Sequence, residues 1–302
     1  MSTINPQNPT KLDGIRYFTP PGGFILTGRD GMVNIPWDGR PAMPLLVEDF
    51  PPEADSIIPD YDMVGRGIYQ ALRLNPDCSA AAEYAAVLKE AYPHVISELG
   101  GQIIMLDAKE VDTPYLDRKI NFLKIMALLD TNNAGVHLEI ARTFSDKGSR
   151  LGTLHQAVDS WYAVEKHLKM ALALEPSNYH AAYEYGEALY VLGRYEQAAE
   201  SWQQLPKEMD SGDRRKVEAR IAAILSGKLP LVPPVDYLTA ISVAVECHHG
   251  GRNDDAAAII EDVLADPVFA DQFPMNEVYY LLGTCYQEMG LMKESAAAFK
   301  RS

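Results

Sequence analysis

The feature that most restricts the fold is a spacing. Three times in the second half of this 302-residue chain, a small residue is followed 12 positions later by another: Gly186 and Ala198, Ala244 and Ala256, Gly283 and Ser295. Around each, apolar residues fall three and four apart: Ala182, Tyr185 and Leu189; Ala240, Val243 and Cys247; Tyr279, Leu282 and Tyr286. That interval marks one face of a helix. A small residue at the same place in two successive helices lets them approach closely there. The larger apolar residues are then left to fill the gap to the next pair. Such a hairpin cannot bury its apolar face alone, so copies must stack.

Stop signals between the periodic segments support many helices rather than a few long ones. They predict helices over Met63–Leu74, Ser79–Ala91 and His94–Leu106, then from a cap at Asp112 or Thr113 to Asp130, and over Ala134–Lys147. Further helices are predicted over His155–Leu174, Tyr179–Leu192, Tyr195–Leu205, Asp213–Leu225, Val235–His249, Asp254–Ala265, Met275–Met289 and Met292–Arg301. The amino end is different, because its prolines and glycines do not sustain helices. There Phe24–Thr27 and Met32–Ile35 flank Gly28-Arg29-Asp30-Gly31 and read as a β-hairpin. An isolated hairpin is marginal in water, so Phe24, Leu26, Ile35 and Trp37 are expected to dock on the helices.

The residues over 134–302 resemble the tetratricopeptide repeat family. Its first helix carries an aromatic, a Leu-Gly pair and a Tyr, matched by Tyr279, Leu282, Gly283 and Tyr286, and in part by Ala182, Tyr185, Gly186 and Leu189. Ala198 with Trp202, and Ser295 with Phe299, match its second helix. Ala240, Val243, Ala244 and Cys247, then Ala256 and Ile260, form a looser copy. An interrupted copy comes earlier: His137, Ile140, Ala141 and Phe144, then Val164, Leu168, Ala171 and Pro176, with about eleven extra residues between the two helices. A helix over 213–225 intrudes between later copies. The resemblance implies an all-α, right-handed α-solenoid of antiparallel helix pairs with a small amino-terminal β-hairpin. The expected organisation is an extended arm over 1–55, a degenerate helical region continuous with the solenoid over 56–133, and repeats over 134–302.

Composition narrows the function. Lys and Arg number 27 against 42 Asp and Glu, a formal charge of −15, and both halves are acidic. A nucleic-acid surface needs clustered cations, and an anionic membrane would be repelled. Arg214-Arg215-Lys216 is short and sits among acidic residues, as a solvated helix face does. No run of about 18 apolar residues predicts a span, and the first ten residues lack a leader's basic cap and apolar centre. Three scattered cysteines, Cys78, Cys247 and Cys285, fit a reducing compartment, so the cytoplasm is expected. Cys247-His248-His249 holds adjacent helical residues about 100° apart, which cannot converge on one metal ion. Gly22-Gly23 and Gly65-Arg66-Gly67 lack the strand–loop–helix setting of a phosphate loop. No nucleophile motif is present, so neither an enzyme nor a cofactor is expected.

In the resembled family, first helices line a concave surface that holds a peptide or a partner helix. Carried to matching positions, that surface consists of His180, Tyr183, Glu184, Glu187 and Tyr190, then Ile241, Val245, His248 and His249, then Glu277, Tyr280, Thr284 and Gln287. The family's clamp for chaperone tails has Lys and Asn where Tyr183 and Glu187 stand, which argues against a heat-shock co-chaperone. The reading is a scaffold, adaptor or assembly factor for a basic partner with apolar anchors. The alternative is a chaperone or regulator whose amino-terminal arm covers its own groove. An accessory subunit of an enzyme complex is a third reading.

Overall fold

Short strands are what the described part of the proline-rich amino end builds. The computed structural model describes residues 12–28, 31–49, 58–108, 113–206, 210–273 and 275–302. The hairpin turn residues Arg29 and Asp30 and the candidate cap Asp112 lie outside these. The chain forms two compact units, 1–136 and 137–302.

In the first unit, β2 (Ile25–Thr27) pairs antiparallel with β3 (Asn34–Pro36), the hairpin read from sequence. A second pairing encloses it, β1 (Ile15–Phe18) with β4 (Met43–Leu46). Leu26 and Ile35 face each other across the inner ladder and are both buried. Trp37 joins them in the core, its Nε1 donating to Pro41 O at 2.8 Å, whereas Phe24 is only half-buried. These residues share one apolar cluster with α1 (Tyr61–Leu74), α2 (Ala81–Ala91), α3 (Val95–Asp107) and α4 (Thr113–Leu129).

Strand β4 packs directly on α1, and this explains Gly65-Arg66-Gly67. A Cβ on Gly67 would stand 1.9 Å from Pro44 O, and one on Gly65 would stand 2.5 Å from the Tyr92 ring. Both glycines are close-approach points within a helix. Gly67→Ala is therefore expected to push β4 off α1 and to cost about 1–3 kcal/mol. In hydrogen-exchange mass spectrometry, protection should fall over 15–46 and stay unchanged over 179–302. Unchanged protection of β4 would refute the packing argument.

The second unit is an α-solenoid of antiparallel helix pairs. Helix α5 (Ala134–Ser149) begins just before the unit boundary. The 3-10 turn Leu151–Gln156 and α6 (Ala157–Leu174) follow. The hairpins are α7 (Tyr179–Val191) with α8 (Tyr195–Gln203), α10 (Pro234–His249) with α11 (Asn253–Leu264), and α13 (Asn276–Glu288) with α14 (Met292–Phe299). Between them stand α9 (Ser211–Leu225) and a short α12 (Pro267–Gln272), the latter not expected from sequence. Helix α6 packs on α7 and α11 on α13, as stacked pairs do, while α10 packs on the 3-10 turn and α6.

The small residues stand at equivalent waists. A Cβ on Gly186 would meet Trp202 Nε1 at 2.2 Å, and one on Gly283 would meet the Phe299 ring at 2.6 Å. Ala244 and Ala256 are both fully buried. Seven residues after each first-helix waist comes a left-handed glycine: Gly193, Gly251 and Gly290. The next amide closes back over each helix end, Arg194 to Leu189 O, Arg252 to Cys247 O and Leu291 to Tyr286 O, at 2.8–2.9 Å. This Schellman closure needs a positive φ that glycine adopts without strain.

In the interrupted pair, His137 and His167 are buried with their Nδ1 atoms 3.2 Å apart. One must donate and the other accept, so at least one ring is neutral while the contact holds. Burial, with Lys166 nearby, lowers His137 from its ordinary 6.5. A group kept neutral in the fold supplies its stabilisation in full above about pH 6.5. That stabilisation declines as pH drops, because the unfolded chain takes the proton first. Urea midpoints should therefore fall more steeply below pH 6.5 for the native chain than for His137→Gln; equal slopes would refute this.

Candidate functional site

Helix α7 starts at Asn178, whose side chain accepts from Ala181 N at 3.1 Å, and this cap fixes which face the following residues share. His180 is exposed and its ring lies 3.9 Å from that of Tyr179. Glu184 is tied to Arg142 at 2.7 Å. Tyr183 is half-buried, and burial, reinforced by the carboxylates of Glu187 and Asp213, pushes its phenol up to about 12. Glu187 is half-buried 3.6 Å from Arg220. Burial raises its carboxyl, while Arg220 and Lys216 pull the other way.

Tyr190 corrects the sequence reading. It is not offered to solvent but is 0% exposed. Its hydroxyl donates to Gln272 Oε1 at 2.6 Å, and its ring lies under the Arg220 guanidinium at 4.2 Å. The reason is α9, which packs along α8. From α9, Val217, Ile221 and Ile224 join Tyr183, Leu189, Tyr190 and Trp202 in one apolar cluster. The cation expected from a partner is supplied here by the chain itself.

The surface of α10 and α13 is different. Tyr280 is 62% exposed, with its ring 5.4 Å from that of Phe299. Thr284 is half-buried and donates through Oγ1 to Tyr280 O at 3.0 Å, and Gln287 is exposed. His248 is half-buried, with Nδ1 2.7 Å from Asn253 Oδ1 and 3.7 Å from Cys285 Sγ. Burial pushes the Cys285 thiol up, so this contact is not an activated nucleophile. Among the described residues no group of three or more His, Cys, Asp or Glu could hold a metal ion. None of their helices is long and apolar enough to cross a membrane.

A cavity of about 400 Å³ opens beside this surface. Its apolar lining comes from Leu151 and Leu154 of the 3-10 turn, Leu238 and Ile241 of α10, and Phe273, Met275 and Val278 around the start of α13. Glu277, exposed at its edge, makes no ion pair among the described residues, while Arg150 is held bidentately by Asp146 at 2.8 Å. The eleven-residue insertion thus places two leucines on the first-helix surface. Sequence reading identified Ile241 and Glu277 there and missed Leu151, Leu154, Phe273 and Met275. Asp266 followed by Pro267, a helix-start signature, was the available signal for the α12 segment. The sequence-read residues do not gather at one place: Tyr183, Glu187 and Tyr190 lie by α9, Glu184 pairs with Arg142, and Ile241 and Glu277 line the cavity.

Among solved structures, a crystal structure of MamA protein is 15% identical with a TM-score of 0.30, covering 69% of this chain and 90% of that one. A second MamA crystal structure is 17% identical with a TM-score of 0.25, covering 64% and 94%. No curated protein matches the chain. Residues 156–213, which hold α6, the α7–α8 hairpin and the first residues of α9, match the tetratricopeptide repeat family. That match covers this stretch alone, and two further glycine- or alanine-waisted hairpins, α10–α11 and α13–α14, follow it with small residues at equivalent waists.

Proposed function

We propose that this chain is a protein-interaction scaffold that holds a segment of another protein on the open surface of α10 and α13. The observation that carries this reading is the apolar cavity edged by Glu277, one helical turn before the exposed Tyr280 on α13. A large side chain of the partner enters the cavity, and a neighbouring Lys or Arg meets Glu277. Tyr280 gives anchor area and a ring face for a cation, worth about 0.5–2 kcal/mol. The charge of −15 steers cationic partners toward the chain and disfavours phosphate backbones. The free thiols of Cys78, Cys247 and Cys285 suit a cytoplasmic setting.

A displayed peptide library panned against the whole chain tests the reading. Enriched sequences should carry a bulky apolar residue within about three positions of Lys or Arg, and Glu277→Lys with Tyr280→Ala should abolish the enrichment. Acidic winners, or enrichment unchanged in the double variant, would sink it.

A further inference from the structure

Helix α9 is the element that the repeat pattern does not require. It is capped by its own chain at both ends: Asp210 accepts from Gly212 N at 2.7 Å, and Lys228 N closes on Ala223 O at 2.9 Å behind the left-handed Gly227. Its end groups are therefore satisfied without the solenoid. Its side chains are lightly engaged, with Val217 the single buried residue of α9 among those described. Ile221 and Ile224 are half-buried and Leu225 is 75% exposed.

What α9 does insert is one arginine. Arg220 lies 4.2 Å from the Tyr190 ring centre and 5.9 Å from that of Phe273. Its Nη1 donates to Gln272 Oε1 at 3.3 Å, and its Nη2 is 3.6 Å from Glu187 Oε2. Two aromatic faces, an amide oxygen and a carboxylate thus surround one cation. Val217, Arg220, Ile221 and Ile224 fall at positions i, i+3, i+4 and i+7, one helical face.

We propose that α9 is a tethered, displaceable occupant of the α7–α8 face. In its place that face takes a partner helix of the pattern apolar-x-x-Arg-apolar-x-x-apolar. A tethered segment acts at an effective concentration on the order of mM. A free helix of equal intrinsic affinity therefore competes at a disadvantage set by the ratio of that concentration to its own Kd. The face is closed at rest and opens to a partner that binds better than α9, or after α9 is loosened. The biological use of this face rests on the scaffold reading above. Its test does not, because the peptide library reports on α10 and α13.

The probe is a fluorescein-labelled peptide of residues 210–228, followed by fluorescence anisotropy. Three full-length proteins are compared: the native chain, a chain with 211–226 replaced by a Gly/Ser linker of equal length, and Val217→Asp with Arg220→Glu. The peptide should bind both altered chains at least tenfold more tightly than the native chain. An Arg220→Glu peptide should not bind, and Glu187→Lys in the linker chain should weaken binding at least tenfold. Hydrogen exchange over α10, α11, α13 and α14 should match the native chain in both altered proteins, whereas α12, whose Gln272 meets Arg220, should lose some protection. Absent or equal binding overturns the proposal. So does loss of protection throughout α10–α14 in both altered chains, which would make α9 part of the core.

Discussion

Trp202→Ala is expected to lower the stability of the carboxyl-terminal unit by about 3–5 kcal/mol, the range for truncating a buried Trp. The side chain is 2% exposed, its Nε1 donates to Tyr183 O at 3.1 Å, and its ring covers Gly186. Removing it leaves a hole at the waist of the α7–α8 hairpin, and it also frees a partly buried carbonyl. Gly186→Ala attacks the same contact from the other side, because its new methyl would lie 2.2 Å from that nitrogen. The two substitutions should therefore be strongly non-additive. In urea titrations followed by circular dichroism at 222 nm, Gly186→Ala should cost about 1–3 kcal/mol in the native background. With Ala at 202, that cost should largely disappear. Additive costs would show that the two residues do not share one packing site.

Asp266→Ala should cost about 3–4 kcal/mol, because one buried carboxylate serves four donors. Asp266 is 2% exposed. Its Oδ2 accepts from Leu231 N at 2.7 Å and from Tyr237 Oη at 2.8 Å, and its Oδ1 accepts from Val268 N at 2.9 Å and Phe269 N at 3.3 Å. This one side chain caps α12 and ties it to the loop before α10 and to α10 itself. Burial acts to raise its carboxyl, but the four hydrogen bonds outweigh burial and leave it below the ordinary 3.8. A depressed carboxyl supplies its stabilisation above the unfolded value and loses it as pH falls through the folded one. The native advantage over Asp266→Asn should thus hold above about pH 4 and shrink in stronger acid, as read from thermal melts across pH. A difference independent of pH down to 2 would refute the ionised role.

The two predictions bear on function through the same geometry. Trp202 supports the face on which α9 lies, and Asp266 fixes the approach to Phe273 and Met275, which line the cavity. Asp266→Ala should therefore disturb partner binding at α10 and α13 without changing any residue of the cavity itself.

The helical hairpins were legible because their signals are local: a 3.6-residue period, a stop, and a small residue at a fixed interval. Gly186, Ala244 and Gly283 recur at equivalent waists for that reason. The inner hairpin was legible from its central turn and the alternation of Leu26 and Ile35. The outer pairing of β1 and β4 was not, because Pro44 masks the strand pattern of 43–46 and its partner lies about thirty residues away. Gly65 and Gly67 are spaced like a motif, and only the approach of Tyr92 and Pro44 shows why each lacks a side chain.

The sequence by itself determined that this protein is built of stacked helix pairs, and which residues meet within each pair. The tertiary structure alone decided which first-helix residues remain open. Tyr190 has the spacing of an exposed position, yet α9 and α12 bury it. The burial depends on Arg220 meeting Gln272 across 52 residues of chain. Periodicity reports only a helix's own faces. What lies against a face is set by contacts between distant segments, whose packing no local pattern encodes.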